Sequence, residues 1–277
     1  MKIFKTNKSL LRWRSLNNNA SVGFVPTMGA LHEGHISLIK KSIHKCDLTI
    51  VSIFVNQLQF GENEDFKTYP QNIKQDINLL KHYSVDAIFI PTHNELYDQN
   101  FSYVVSETQL SKKLEGKSRP GFFGGVTTIV CKLFNLTQPQ YVFFGLKDIQ
   151  QLYIIKKMIH DLNYNIKLIA CPTIREPNGL AMSSRNQYLT DEARNEAAII
   201  YQILKINAKL IKNSEISINS IKKKIKNKLE KNKFIVDYIS IADLDSFEEI
   251  KKYKKGQTVI SLAVFYNNVR LIDNMIL

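Results

Sequence analysis

Long hydrophobic runs are missing from this 277-residue chain. Leu48–Val55 is among the longest, and every run is broken within about eight positions, far short of the roughly 20 that span a bilayer. Neither an apolar segment nor a small-residue cleavage site follows Met1-Lys2-Ile3-Phe4-Lys5, so no secretion signal and no membrane partner are expected. Cysteine is scarce. Cys46, Cys131 and Cys171 lie far apart in apolar settings, which argues against a disulfide framework and for reduced core thiols in a cytoplasmic protein. Acidic charge is also short, with 25 Asp and Glu against 38 Lys and Arg, a formal net charge of +13. Such a balance suits either a nucleic acid or a small anionic substrate. Much of the excess lies between Lys205 and Lys233, including Lys222-Lys223-Lys224, and reads as a solvated helical face; no nucleic-acid partner is expected. Two phosphate-binding fingerprints are absent. Gly116-Lys117-Ser118 resembles the tail of a Walker loop but has Ser111 where glycine is required, and no Gly-x-Gly-x-x-Gly follows a strand.

What is present is an ordinary globular balance, 44% hydrophobic and 23% charged residues. Strand-like runs at Val22–Pro26, Thr49–Val55, Ala87–Ile90, Tyr141–Phe144 and Ile166–Ala170 alternate with helical patterns near Ile36–Cys46, Ile73–His82, Thr127–Leu136 and Ile149–Leu162. Near-continuous apolar strands separated by helices of about 10–15 residues predict parallel βαβ units. The expected class is α/β, a Rossmann-like doubly wound parallel sheet with its ligand site at the carboxyl ends of the strands. Beyond Cys171-Pro172 the pattern changes to helices at Asp191–Ile211 and Ile216–Lys231, then strands at Phe234–Ile241, Thr258–Phe265 and Val269–Ile272. This predicts a smaller C-terminal α+β domain, giving domains at 1–172 and 173–277.

Four segments carry chemistry. In Pro26-Thr27-Met28-Gly29-Ala30-Leu31-His32-Glu33-Gly34-His35, glycines allow close backbone approach, and the following helix start offers N–H groups to phosphate. His32 and His35 can face the same way and donate to phosphate oxygens; a zinc site would need another spacing and a third ligand. In Met182-Ser183-Ser184-Arg185, hydroxyls and a guanidinium suit a triphosphate while charge builds on departing pyrophosphate. Gly145-Leu146-Lys147-Asp148-Ile149-Gln150-Gln151 places Lys147 for a phosphate and Asp148 as a helix cap or nucleotide contact. In Phe54-Val55-Asn56-Gln57-Leu58-Gln59-Phe60-Gly61, the Asn56 and Gln59 amides suit a hydroxylated acid. Taken singly, the last two also read as a strand-to-helix turn and a turn cap, and Ser183-Ser184-Arg185 as a surface turn.

The first segment resembles the His-x-Gly-His signature of a nucleotidyltransferase superfamily. The four segments, in this order and with Arg270-Leu271-Ile272-Asp273-Asn274 near the end, resemble the pantothenate synthetase (pantoate–β-alanine ligase) family. That resemblance implies a Rossmann-like domain under a smaller lid, usually as a homodimer, with ATP as substrate and Mg2+ beside it. It implies a ligase that forms a pantoyl-adenylate from pantoate and ATP, then couples it to β-alanine. The implied ATP site comprises Met28, Gly29, Ala30, Leu31, His32, Glu33, Gly34, His35, Gly145, Leu146, Lys147, Asp148, Ile174, Met182, Ser183, Ser184 and Arg185. Of these, His35 as proton donor, His32, Lys147, Ser183, Ser184 and Arg185 would be catalytic. Gln59 and Gln151 would hold pantoate, with Asn56 nearby, and Asp76 falls near the family's magnesium-associated acidic residues. The sequence departs from the family pattern at Gln57, Gln71, Asn267 and Phe122, the last where a histidine is expected. Other readings are a nucleotidylyltransferase of the same superfamily, an RNA-binding synthetase fragment, and a decayed homologue silenced at Phe122.

Overall fold

The computed structural model describes residues 1–62, 64–214 and 216–277. Its first elements, the short edge strand β1 (Lys2–Phe4) and α1 (Asn7–Leu16), are absent from the sequence-based expectation. Three residues, of which Lys2 and Ile3 are exposed, leave no hydrophobic period to read. Thr6 starts α1 by accepting the Ser9 N–H, and Leu10 and Trp13 bury its inner face.

Then follow β2 (Val22–Thr27), α2 (Glu33–Lys45), β3 (Leu48–Ile53), α3 (Ile73–Leu80), β4 (Ala87–Phe89), α4 (His93–Leu96), α5 (Leu114–Ser118), α6 (Phe122–Thr137), β5 (Tyr141–Gly145), α7 (Ile149–Asp161) and β6 (Lys167–Cys171). The six strands form one sheet in the order β1-β4-β3-β2-β5-β6, every pair parallel. Both faces are covered, which is why β2 and β3 read as near-continuous apolar runs. The chain winds outward from β2 through β3 to β4, then returns past β2 to β5. The strand order therefore reverses between β2 and β5, and a crevice opens there beyond their carboxyl ends.

The remaining chain forms α8 (Asp191–Ala197), α9 (Ile199–Asn213), α10 (Ile218–Lys231) and an antiparallel sheet β7 (Ile235–Asp243), β8 (Thr258–Tyr266), β9 (Val269–Ile276). The expected single helix over Asp191–Ile211 is two, separated by Ala198, whose φ −60° and ψ −18° stay near helical. Buried side chains of α9, α10 and β7–β9 form their own cluster, including Leu204, Ile225 and Leu262. Ala242, Leu244, Phe247 and Val259 instead join the core of the parallel sheet. An irregularity between Val236 and Tyr238 interrupts the β7–β8 register at Asp237. No helix among the described residues is long and apolar enough to cross a membrane.

Candidate active site

The crevice at the strand-order reversal is a cavity of about 660 Å³. Its floor is the loop from β2 into α2. Thr27 Oγ1 donates to Ser52 O (2.7 Å) and accepts the Gly29 N–H (3.2 Å). Two left-handed residues follow, Gly29 (φ 82°) and Ala30 (φ 49°). A Cβ at Gly29 would stand 3.0 Å from Asp76 Oδ2 and 3.1 Å from Ile53 Cγ2, so both conformation and space demand glycine.

His32 is the N-cap of α2, its Nδ1 accepting the Gly34 N–H (3.1 Å), while His35 Nδ1 accepts the His32 N–H (3.3 Å). A ring nitrogen that accepts does not carry the proton, so each neutral ring bears it on Nε2. Burial, then the Lys147 cation, lowers the His32 pKa to about 4, against a weaker pull from Asp148. Burial, His32 and Lys147 hold His35 well below the usual imidazole range. With ring centroids 4.1 Å apart, the pair presents two uncharged donors at neutral pH.

The opposite wall begins at Gly145, where β5 ends. Lys147 Nζ lies 3.8 Å from Asp148 Oδ2. Asn274 of β9 donates to the carbonyls of Leu146 (2.9 Å) and Lys147 (2.7 Å), so the C-terminal sheet pins this turn. The Asn56 and Gln59 side chains are buried. Asn56 Nδ2 donates to Gly125 O (3.0 Å) and Gln59 Oε1 (3.2 Å), Gln59 Nε2 donates to the Met28 thioether, and Asn56 Oδ1 has no partner among the described residues. Gln151, in the first turn of α7, lines the same cavity.

The loop of Met182 to Arg185 closes the site differently from the sequence-based expectation. Ser184, buried, donates its hydroxyl to Ala30 O (3.1 Å). Ser183 Oγ accepts the Arg185 N–H (3.3 Å), and Met182 N–H bonds Ile174 O (3.0 Å). The Arg185 guanidinium is gripped by Asp65 through Nε (2.9 Å) and Nη2 (2.7 Å). A second arginine, Arg119, is paired with Glu64, donates to Gln59 O (3.2 Å) and stacks 3.7 Å over the Phe122 ring. Phe122 thus lies on the wall as the platform for a cation.

Most expected site residues meet around this cavity: Met28, His32, Gly34 and His35; Gly145, Lys147 and Asp148; Ile174 and Met182 to Arg185; and Asn56, Gln59 and Gln151. Gly29, Ala30, Leu31 and Leu146 do not line it, the first two being buried, and Glu33 is exposed on α2. Asp76 is not on the wall; its carboxylate accepts the Ala30 (3.0 Å) and Leu31 (2.8 Å) N–H groups. Sequence reasoning leaves out Glu64, Asp65 and Arg119, ion-paired residues whose sequence separation carries no local signal, and it gives Arg270 only as part of the C-terminal segment. Among the described residues, no group of three or more His, Cys, Asp or Glu could hold a metal ion. Of the wall carboxylates, Glu64, Asp65, Glu115, Asp237 and Asp273 are paired with arginines, leaving Asp148, which is half-exposed and faces only Lys147 at 3.8 Å among the described residues. A single carboxylate fits magnesium that is held chiefly by substrate phosphates and water.

Residues 2–276 match the family model described as pantoate-beta-alanine ligase. The pantothenate synthetase of Caldicellulosiruptor saccharolyticus is 46% identical over 257 residues, covering 92% of this chain and 91% of that protein. That of Thermotoga petrophila is 44% identical over 280 residues, covering 100% of both. The pantothenate synthetase structure from Thermus thermophilus superposes with a TM-score of 0.93 at 36% identity, covering 99% of each chain. The pantoate-beta-alanine ligase from Francisella tularensis, complexed with beta-gamma ATP and beta-alanine, gives a TM-score of 0.85 at 38% identity, covering 100% of this chain and 97% of that one.

Proposed function

The chain belongs to the pantoate-β-alanine ligase family, and from that membership we propose that it condenses pantoate with β-alanine through a pantoyl-adenylate made from ATP. The observation that carries the reading is the pair of neutral imidazoles beside Lys147 at the strand-order reversal.

A pantoate carboxylate oxygen attacks the α-phosphorus, the bond to the β-phosphate breaks, and pyrophosphate leaves. The β-alanine amine then attacks the acyl carbon, AMP leaves with the electrons of the C–O bond, and the amine loses a proton. Nothing here requires a protein nucleophile; the acceleration comes from positioning and fixed charge. His32 and His35 donate from Nε2, Lys147 adds a cation, and the start of α2 contributes its dipole. The ATP site runs from Met28 to His35, across Gly145 to Asp148, and along Ile174 and Met182 to Arg185. Gly29, Ala30, Leu31 and Leu146 shape it from behind. His35 acts as an uncharged hydrogen-bond donor in the resting site. Ser183 and Arg185 border the pyrophosphate, and Ser184 serves by fastening its loop. Gln59, Gln151 and Asn56 hold pantoate's hydroxyls. Magnesium would arrive with ATP, be held by Asp148, phosphate and water, and neutralise phosphate charge.

We also assign domains at 1–172 and 173–277, supported by the separate C-terminal hydrophobic cluster. Three unpaired cysteines support a cytoplasmic setting, and the family resemblance supports a homodimer. The test is ATP–pyrophosphate exchange with magnesium. Exchange that needs pantoate, followed by AMP release on adding β-alanine, is expected. A folded, ATP-binding protein without exchange, or one that leaves the nucleotide on its acceptor, would overturn the reading.

A further inference from the structure

The two signature loops, distant in sequence, meet at one residue, Ala30. Ala30 uses its N–H on Asp76 Oδ2 (3.0 Å) and its C=O on Ser184 Oγ (3.1 Å), while Leu31 N–H reaches Asp76 Oδ1 (2.8 Å). Ala30 is buried and left-handed at φ 49°, a conformation that costs an L-residue and persists only when its surroundings impose it. Asp76 is 3% exposed, lies in the first turn of α3, and has no cationic partner among the described residues. The two described hydrogen bonds to its carboxylate both come from this turn. Gly29, lacking a Cβ, lets the carboxylate approach.

We propose that Asp76 is a positioning residue for the adenylation step: it imposes the left-handed turn at Ala30, and that turn sets His32 and His35 on one side and the Ser184 loop on the other. This rests on the ligase reading above. The geometry explains why a buried carboxylate without a cationic partner among the described residues sits behind this loop. Its two oxygens satisfy two consecutive N–H groups that no helix or strand serves. Without the full clamp, Ala30 relaxes toward φ < 0, swings its carbonyl away from Ser184, and moves the α2 start by a fraction of an ångström. A displacement of about 1 Å at a reacting centre can cost ~100-fold in rate.

The experiment compares wild type, Asp76→Asn, Ala30→Gly and the double variant in pantoate-dependent ATP–pyrophosphate exchange. Asparagine keeps one acceptor but turns an amide N–H₂ toward the second donor. The expected result for Asp76→Asn is a kcat loss of about 10- to 100-fold with the KM for ATP within threefold. Glycine adopts left-handed angles without steric cost, so adding Ala30→Gly should restore about fivefold of the lost kcat. A merely structural carboxylate predicts no such rescue. Asp76→Asn within threefold of wild-type kcat, or no recovery with glycine, overturns the proposal. Should Asp76→Asn not fold, Ser184→Ala with and without Ala30→Gly decides it by the same recovery. Absence of exchange in wild type itself would count against the ligase reading instead.

Discussion

A histidine that must donate a hydrogen bond to phosphate has to keep its proton on the outward nitrogen, and a buried site makes the doubly protonated ring costly. Here the backbone settles the first requirement by occupying both Nδ1 atoms, and burial with Lys147 settles the second. Replacing either ring by alanine removes one fixed donor. His32→Ala and His35→Ala should each lower exchange turnover by about 10²–10³, and turnover near wild type in both would remove them from the mechanism. The same chemistry has a stability signature. In the unfolded chain His32 titrates near 6.5, whereas in the fold it titrates at about 4. Below about pH 6.5 the unfolded chain binds the proton first, so the His32 contribution is complete above that pH and is lost as pH falls toward 4. Urea unfolding at pH 7.5 and pH 5 should show a smaller acid-induced drop for His32→Gln than for wild type. Equal drops would mean that His32 is not held neutral.

At the scale of elements, the site depends on backbones packed closer than side chains allow. Gly125, in the first turn of α6, faces the Gln57–Gln59 turn, and a Cβ there would lie 2.1 Å from Leu58 O and 2.6 Å from Gln59 N. No side chain can yield to relieve that clash, so Gly125→Ala must shift α6 or the turn, moving Asn56 and Gln59 together. The expected outcome is about a tenfold rise in the KM for pantoate with the KM for ATP little changed, measured by exchange kinetics. An unchanged pantoate KM would detach these amides from the substrate. The parallel strands were legible because burial on both faces writes itself as near-continuous apolar runs, and the signature loops because segments that are ambiguous singly occur together in one order. The Gly125 contact was not legible, since a glycine facing a distant backbone leaves no periodic trace. Nor was the inward turn of the Ser184 hydroxyl, which depends on a carbonyl in another loop. Strand β1 escaped because a three-residue edge strand has no pattern to show.

For the whole molecule, the open matter is what holds the C-terminal sheet over the crevice. Part of the answer is apolar, with Ala242, Leu244, Phe247 and Val259 reaching into the parallel-sheet core. The rest is ionic and lies on the cavity wall. Arg270 of β9 bonds Glu115 of α5 (2.7 and 3.0 Å) and Asp237 of β7 (3.1 and 2.6 Å), and Tyr238 donates to Glu115 (2.8 Å). The sequence places Arg270 in a family-like ending, yet its partners emerge only when β7 is interrupted at Asp237 and α5 is brought up to it. Burial disfavours the charged guanidinium, but Glu115 and Asp237 outweigh it and raise the Arg270 pKa. Such a group stabilises little relative to an apolar replacement of the whole set, but removing one member strands the others. Arg270→Met leaves two partly buried carboxylates facing each other and should lower the unfolding free energy by about 3 kcal/mol. Adding Glu115→Gln and Asp237→Asn removes both stranded charges, so the triple variant should be more stable than the single one in urea denaturation. If the three losses simply add, the cluster is not a coupled unit, and the apolar contacts alone hold the two parts together.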